Sequence, residues 1–156
     1  MDSLPTKPHE TSPTGRRRWM SVLARAGAAE ILSLLDDVPD YQRLRGPEAG
    51  LVMVRGRAGG TGDKFNLGEM TVTRCTVRTA DGLVGHAYVA GRDGRQAELA
   101  ALVDALMQDA DRHDALEAAV IAPLEQAQRD RRTTIARKAA ATRVDFFTMA
   151  TMRTSS

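Results

Sequence analysis

Apolar and polar positions recur with different periods along this chain, and the changes of period divide it into elements. From Trp19 onward, Met20, Leu23, Gly27, Ile31 and Leu34 return every three or four positions, which predicts one amphipathic helix ending near Asp36. Pro39 ends it, and Arg45, Gly46 and Pro47 read as connection. Leu51, Val52, Met53 and Val54 form a short apolar run, rich enough in β-branching to predict a buried strand. Two further strands, 69–78 and 83–90, flank Ala80, Asp81 and Gly82, and an Asp-Gly pair favours a tight type I′ hairpin. Counted outward from Asp81 and Gly82, such a turn pairs Val77 with His86, Cys75 with Tyr88 and Thr73 with Ala90 on the core side. The opposite side pairs Arg78 with Gly85, Thr76 with Ala87 and Arg74 with Val89, so Arg74 and Arg78 face water or a partner surface.

Asp93, three residues ahead of Gln96, is placed to cap a helix. Leu99, Leu102, Val103 and Leu106 give that helix a tight apolar stripe, each side chain contributing roughly 1.5–3 kcal/mol on burial. A further helix is expected to open at Asp114, with Glu117 at its third position, and to break or restart at Pro123. Beyond Pro123, residues Gln126, Gln128, Arg129, Asp130, Arg131 and Arg132 leave little apolar stripe, so that helix needs support from elsewhere. Val144, Phe146, Phe147 and Met149 gather two of the chain's three phenylalanines. They either return to this domain's own sheet, the simpler reading, or dock into another subunit. The expected fold is α+β, a small and mainly antiparallel sheet packed by helices on one face.

A length of 156 residues suits one domain, here residues 16–150, between a flexible tail at 1–15 and a short one at 151–156. Pro5, Pro8 and Pro13, with almost nothing apolar around them, mark the first tail. No run reaches the ~20 apolar residues that cross a bilayer, and no signal-peptide pattern follows Arg16, Arg17 and Arg18, so a cytoplasmic address is expected. The single Cys75 excludes an intrachain disulfide framework. A net charge of +2 is too small to imply nucleic acid. The basic run Arg129, Arg131, Arg132, Arg137 and Lys138 is diluted by Glu125 and Asp130, which favours a solvated helix or a protein interface.

Candidate chemistry is sparse. Every serine lies near a terminus or on the first helix, which leaves no nucleophile elbow. Cys75 inside a sheet reads as a small hydrophobe rather than the thiolate partner of His86. His9, His86 and His113 lack ligand spacing, so no metal site and no catalytic residue are expected. Glu48, Asp63 and Glu69 read as surface acids that pair with arginines. The unusual segment is 55–70, where Gly56, Gly59, Gly60, Gly62 and Gly68 accompany Arg55, Arg57 and Lys64. Backbone amides in such a loop can hold an anion, and the three cations make phosphate a candidate ligand. Asp63 after Gly62 breaks the phosphate-loop pattern, and a wide loop joining two strands is the simpler expectation.

The string from Gly50 to Arg57, then Gly59-Gly60-Thr61-Gly62, then Phe65 to Cys75, resembles the PhnG family, a component of the bacterial carbon-phosphorus lyase system. Ala87-Tyr88-Val89 with Gly91-Arg92-Asp93, Ala97 to Leu102, and Thr142 to Met149 extend the resemblance over about Trp19 to Met149. It implies phosphonate catabolism together with the PhnH, PhnI and PhnL proteins, in which a phosphonate displaces adenine from ATP and PhnI is the catalytic partner. It also implies a core of PhnG, PhnH, PhnI and PhnJ, two copies of each, with the radical iron-sulfur chemistry in PhnJ. ATP would be the co-substrate of the complex, and this chain would carry no cofactor of its own. Within that frame Arg55, Arg57, Gly59, Gly60, Gly62 and Lys64 are candidates for substrate contact, and Arg74, Arg78, Phe146, Phe147 and Met149 for a partner interface. The alternative is a purely structural scaffold subunit without ligand contact.

Overall fold

The computed structural model describes residues 13–142. In chain order they form α1 (Pro13–Leu23), α2 (Ala28–Leu34), β1 (Tyr41–Arg57), β2 (Lys64–Thr79), β3 (Val84–Ala90), α3 (Gly94–Leu106), α4 (Ala110–Leu116) and α5 (Ala122–Ala141). The strands make one antiparallel sheet in the order β1-β2-β3, and α3 packs across β2 and β3, so the expected α+β class holds.

The stripe of Leu99, Leu102, Val103 and Leu106 is where the core forms. Asp93 starts α3 as expected, its carboxylate accepting the Gln96 amide at 2.9 Å. Every residue from Ala97 to Leu106 is buried, because the sheet covers one side of α3 and Trp19, Val22, Leu23 and Ile31 lie in the same core. The alanines let backbones meet: a Cβ on Gly85 of β3 would stand 1.9 Å from the Ala101 carbonyl oxygen. Two acids interrupt this apolar helix, and both have partners. Asp104 is wholly buried and accepts hydrogen bonds from Arg16 Nε and Nη2 at 3.1 and 2.7 Å, Trp19 Nε1 at 2.9 Å and the His86 amide at 2.9 Å. Glu98 serves the sheet, as described below.

Several expectations need correction. The first helix is two helices, α1 and α2, because Gly27 takes an extended conformation and the Glu30 carboxylate caps its amide. Residues 45–47 are not a connection but part of β1, which tolerates Pro47 because it is an edge strand and shifts register between Arg43 and Arg45 and again before Glu48. The run 51–54 is a strand but not a buried one: Leu51, 63% exposed, and Met53 face solvent, and Val52 and Val54 are only half-buried. The helix expected at Asp114 opens at Ala110, capped by Asp109. Pro123 does mark a restart: a π-helical turn at Glu117–Ile121 leads into α5 with the proline in its first turn.

The hairpin register is off by one. Thr79 donates to Leu83 at 2.9 Å and Gly82 to Thr79 at 3.0 Å, and only Gly82 has positive φ. That is a three-residue loop ending in a left-handed glycine, not a two-residue type I′ turn. Val77 therefore pairs with Gly85, Cys75 with Ala87 and Thr73 with Val89. The β2 residues keep their predicted faces, while β3 flips to put Gly85 under α3 and His86 and Tyr88 outside.

Asp104→Ala leaves the Trp19 indole and Arg16 without their acceptor inside the core. We expect it to lower the unfolding free energy by about 3–5 kcal/mol in a denaturant titration, whereas a change near zero would show that Asp104 does not hold α1 to α3.

Candidate functional site

β3 accompanies β2 only from Val72 to Arg78, whereas β1 and β2 continue pairing out to Arg57 and Lys64. The sequence pattern thus builds a two-stranded ribbon that projects beyond the sheet, about 20 Å from Leu51 to Arg57 at ~3.4 Å per residue. Every β2 residue from Lys64 to Met70 is exposed. The glycine-rich segment is therefore not a wide loop: its strands stay paired, and only residues 58–63 form the turn.

Alternation along the strands gives the ribbon two faces. Val52, Val54 and Gly56 share one with Met70 and Phe65, their cross-strand partners at Val52 and Gly56. A register shift after Val54 brings Leu67 to the same side, where it and Phe65 lie 3.6 and 3.8 Å from a Cβ built on Gly56. This face is apolar and uncovered, with Leu67 65% exposed. The other face carries Leu51, Met53, Arg55 and Arg57.

At the tip, Arg55, Arg57 and Lys64 line one concavity with Thr61, Gly62 and Asp63. Gly59 and Gly60 make the turn with φ of 61° and 80°, a region side chains resist. The structure so brings together Arg55, Arg57, Gly62 and Lys64, with Gly59 and Gly60 shaping the turn beside them. Among the described residues none of the three cations forms an ion pair.

Arg74 and Arg78 stand on the sheet face opposite the helices, as the sequence predicts, although beside Tyr88 and Val84 rather than Val89 and Gly85. Arg74 meets Glu48 at 3.1 Å and Thr76 meets His86 at 3.1 Å on the same face. Cys75 points the other way, into the core, so Cys75 and His86 are not a thiol and base pair; burial, then the charge of Glu98, pushes the thiol up. Phe146, Phe147 and Met149 lie outside the described residues. Among the described residues there is no cluster of three metal-ligating side chains, and no helix is long and apolar enough to cross a membrane.

The start of β1, at the end of the strand away from the ribbon, is held by residues that spacing alone does not single out. Glu98 accepts from Tyr41 Oη at 2.7 Å and from Arg43 Nε and Nη2 at 2.6 and 3.1 Å, tying β1 to α3. Burial pushes the Glu98 carboxyl up, but the hydrogen bonds from Arg43 and Tyr41 and the charges of Arg43 and Arg95 outweigh it and hold it below the usual range. An acid inside the apolar run 97–106 is the signal for both Glu98 and Asp104. The arrangement can grip a partner and collect an anion.

Comparison with known proteins places this geometry in context. The family model for phosphonate metabolism protein PhnG matches residues 14–152. A curated protein of Rhizobium meliloti (strain 1021), alpha-D-ribose 1-methylphosphonate 5-triphosphate synthase subunit PhnG, is 52% identical over 141 residues, covering 86% of this chain and 87% of its own length.

Because the folded-state pKa of Glu98 lies below its ordinary value of 4.5, its contribution is present above that value and disappears as pH falls through the depressed one. Unfolding measured across this acid range should show a steep loss of stability in the native chain. Glu98→Gln should be less stable at neutral pH and lose less on acidification; identical pH profiles would contradict the assignment.

Proposed function

This chain belongs to the PhnG family of phosphonate metabolism proteins, and from that premise we propose that it is an accessory subunit of an alpha-D-ribose 1-methylphosphonate 5-triphosphate synthase. In this reading it acts with PhnH, PhnI and PhnL of the carbon-phosphorus lyase system. The complex transfers the ribose triphosphate moiety of ATP to a phosphonate and releases adenine. Bond making belongs to a partner, PhnI, and this chain contributes binding surface within a core shared with PhnH, PhnI and PhnJ, two copies of each.

The observation that carries the reading is the uncovered ribbon. Leu51, Met53, Phe65, Leu67 and Met70 are all large, apolar and exposed on it. A two-stranded ribbon is marginal in water without a third layer, so this one calls for a surface from another chain. The far half of α5 makes the same demand. Leu124 and Gln128 seat its beginning, the latter donating to the Val22 carbonyl at 2.8 Å, but residues 129–141 are all exposed.

Coexpression with PhnH, PhnI and PhnJ, followed by purification through a tag on this chain, tests the proposal. The native chain is expected to bring its partners with it, and Phe65→Asp with Leu67→Asp to stay folded and melt as before but lose them. A native chain that purifies alone under these conditions, or that converts ATP and methylphosphonate unaided, would overturn it.

A further inference from the structure

We propose that the tip of the ribbon is a polyphosphate-binding site in which Arg55, Arg57 and Lys64 grip a chain of linked phosphates. The placement of the charges argues for it. Arg57 and Lys64 are direct cross-strand partners, and like charges in that position repel. Arg55, two residues back on the same strand, adds a third cation to the same face. Several arginines elsewhere on the molecule meet carboxylates: Arg16 meets Asp104, Arg18 meets Glu117 and Glu125, and Arg43 meets Glu98. At the tip, Asp63 lines the same concavity yet pairs with none of the three cations, and Glu69 sits further down the strand opposite Met53.

The shape fits an extended anion better than a compact one. The cations spread over about 7 Å along β1 and about 5 Å across to β2, which is more than one phosphate occupies. Guanidinium forks bind phosphate oxygens in pairs, and lysine adds a point charge. Gly59 and Gly60 carry no side chains, which leaves the turn open, and Thr61 adds a hydroxyl to the concavity. A single phosphonate, with its three oxygens on one phosphorus, spans less of this spread than a chain of linked phosphates does. For the identity of the ligand in the cell, the triphosphate of a nucleotide bound jointly with a partner, the inference rests on the proposed synthase role; the charge placement itself does not.

The test uses the full chain, its Arg57→Ala/Lys64→Ala variant and inorganic tripolyphosphate in a calorimetric titration at low salt. Saturable binding by the native chain is expected, weakening as salt rises, with affinity reduced at least about tenfold in the variant at an unchanged melting temperature. Methylphosphonate should bind far more weakly than tripolyphosphate. In the assembled complex the variant should raise the KM for ATP without loss of partners. No saturable binding, or equal affinity of native and variant chains, overturns the site while leaving the synthase role standing. Loss of partner subunits by the variant, without tripolyphosphate binding by the native chain, also overturns it and assigns the tip to an acidic protein surface.

Discussion

Asp104 lies on the most buried helix of the molecule and accepts from α1 through Arg16 and Trp19 and from β3 through the His86 amide. Removing a carboxylate from water is unfavourable unless its oxygens are met by donors, and here each oxygen receives two. The interaction therefore works only with α1, α3 and β3 in one mutual arrangement. The His86 amide points away from the β2 ladder, so the same bond caps part of the sheet's outer edge. With β3 fixed, the contact of Gly85 with Ala101 and Ala105 fixes which residues of β3 face the core.

Stability at this base permits the ribbon. Glu98 fastens the start of β1 to α3 through Tyr41 and Arg43, and only from Leu51 and Thr71 outward, where β3 has ended, do β1 and β2 pair with nothing but each other. The molecule so divides into a self-sufficient body and surfaces that its described residues leave incomplete: the apolar ribbon face, the cationic tip, the sheet face bearing Arg74 and Arg78, and the outer length of α5. A catalytic domain usually gathers its reactive groups in a cleft, whereas this chain projects binding groups outward.

Much of this is legible in the residues, for reasons that can be named. The N-cap at Asp93 and the α3 stripe are readable because both depend on local spacing. The outward face of Arg74 and Arg78 is readable from alternation within one strand. The β3 face is not, because a three-residue loop and a two-residue loop differ by a single step and only the packing of Gly85 under α3 decides between them. The apolar residues 51–54 suggest burial, yet their strand runs past the helices, and no local pattern announces where a neighbour ends. The tip cations stand out in the sequence, but strand pairing rather than composition sets them on one face. Asp104 and Glu98 escape a reading based on apolar spacing, even though an acid in an apolar helix is itself a signal of a tertiary partner.

Hydrogen exchange of the ribbon amides, in the isolated chain and in the assembled synthase, tests the division between body and unfinished surface most directly. The account predicts slow exchange in α3 and β3 in both states, and fast exchange at residues 51–57 and 64–71 in the isolated chain that becomes slow in the complex. Equal protection of the ribbon in both states would contradict it.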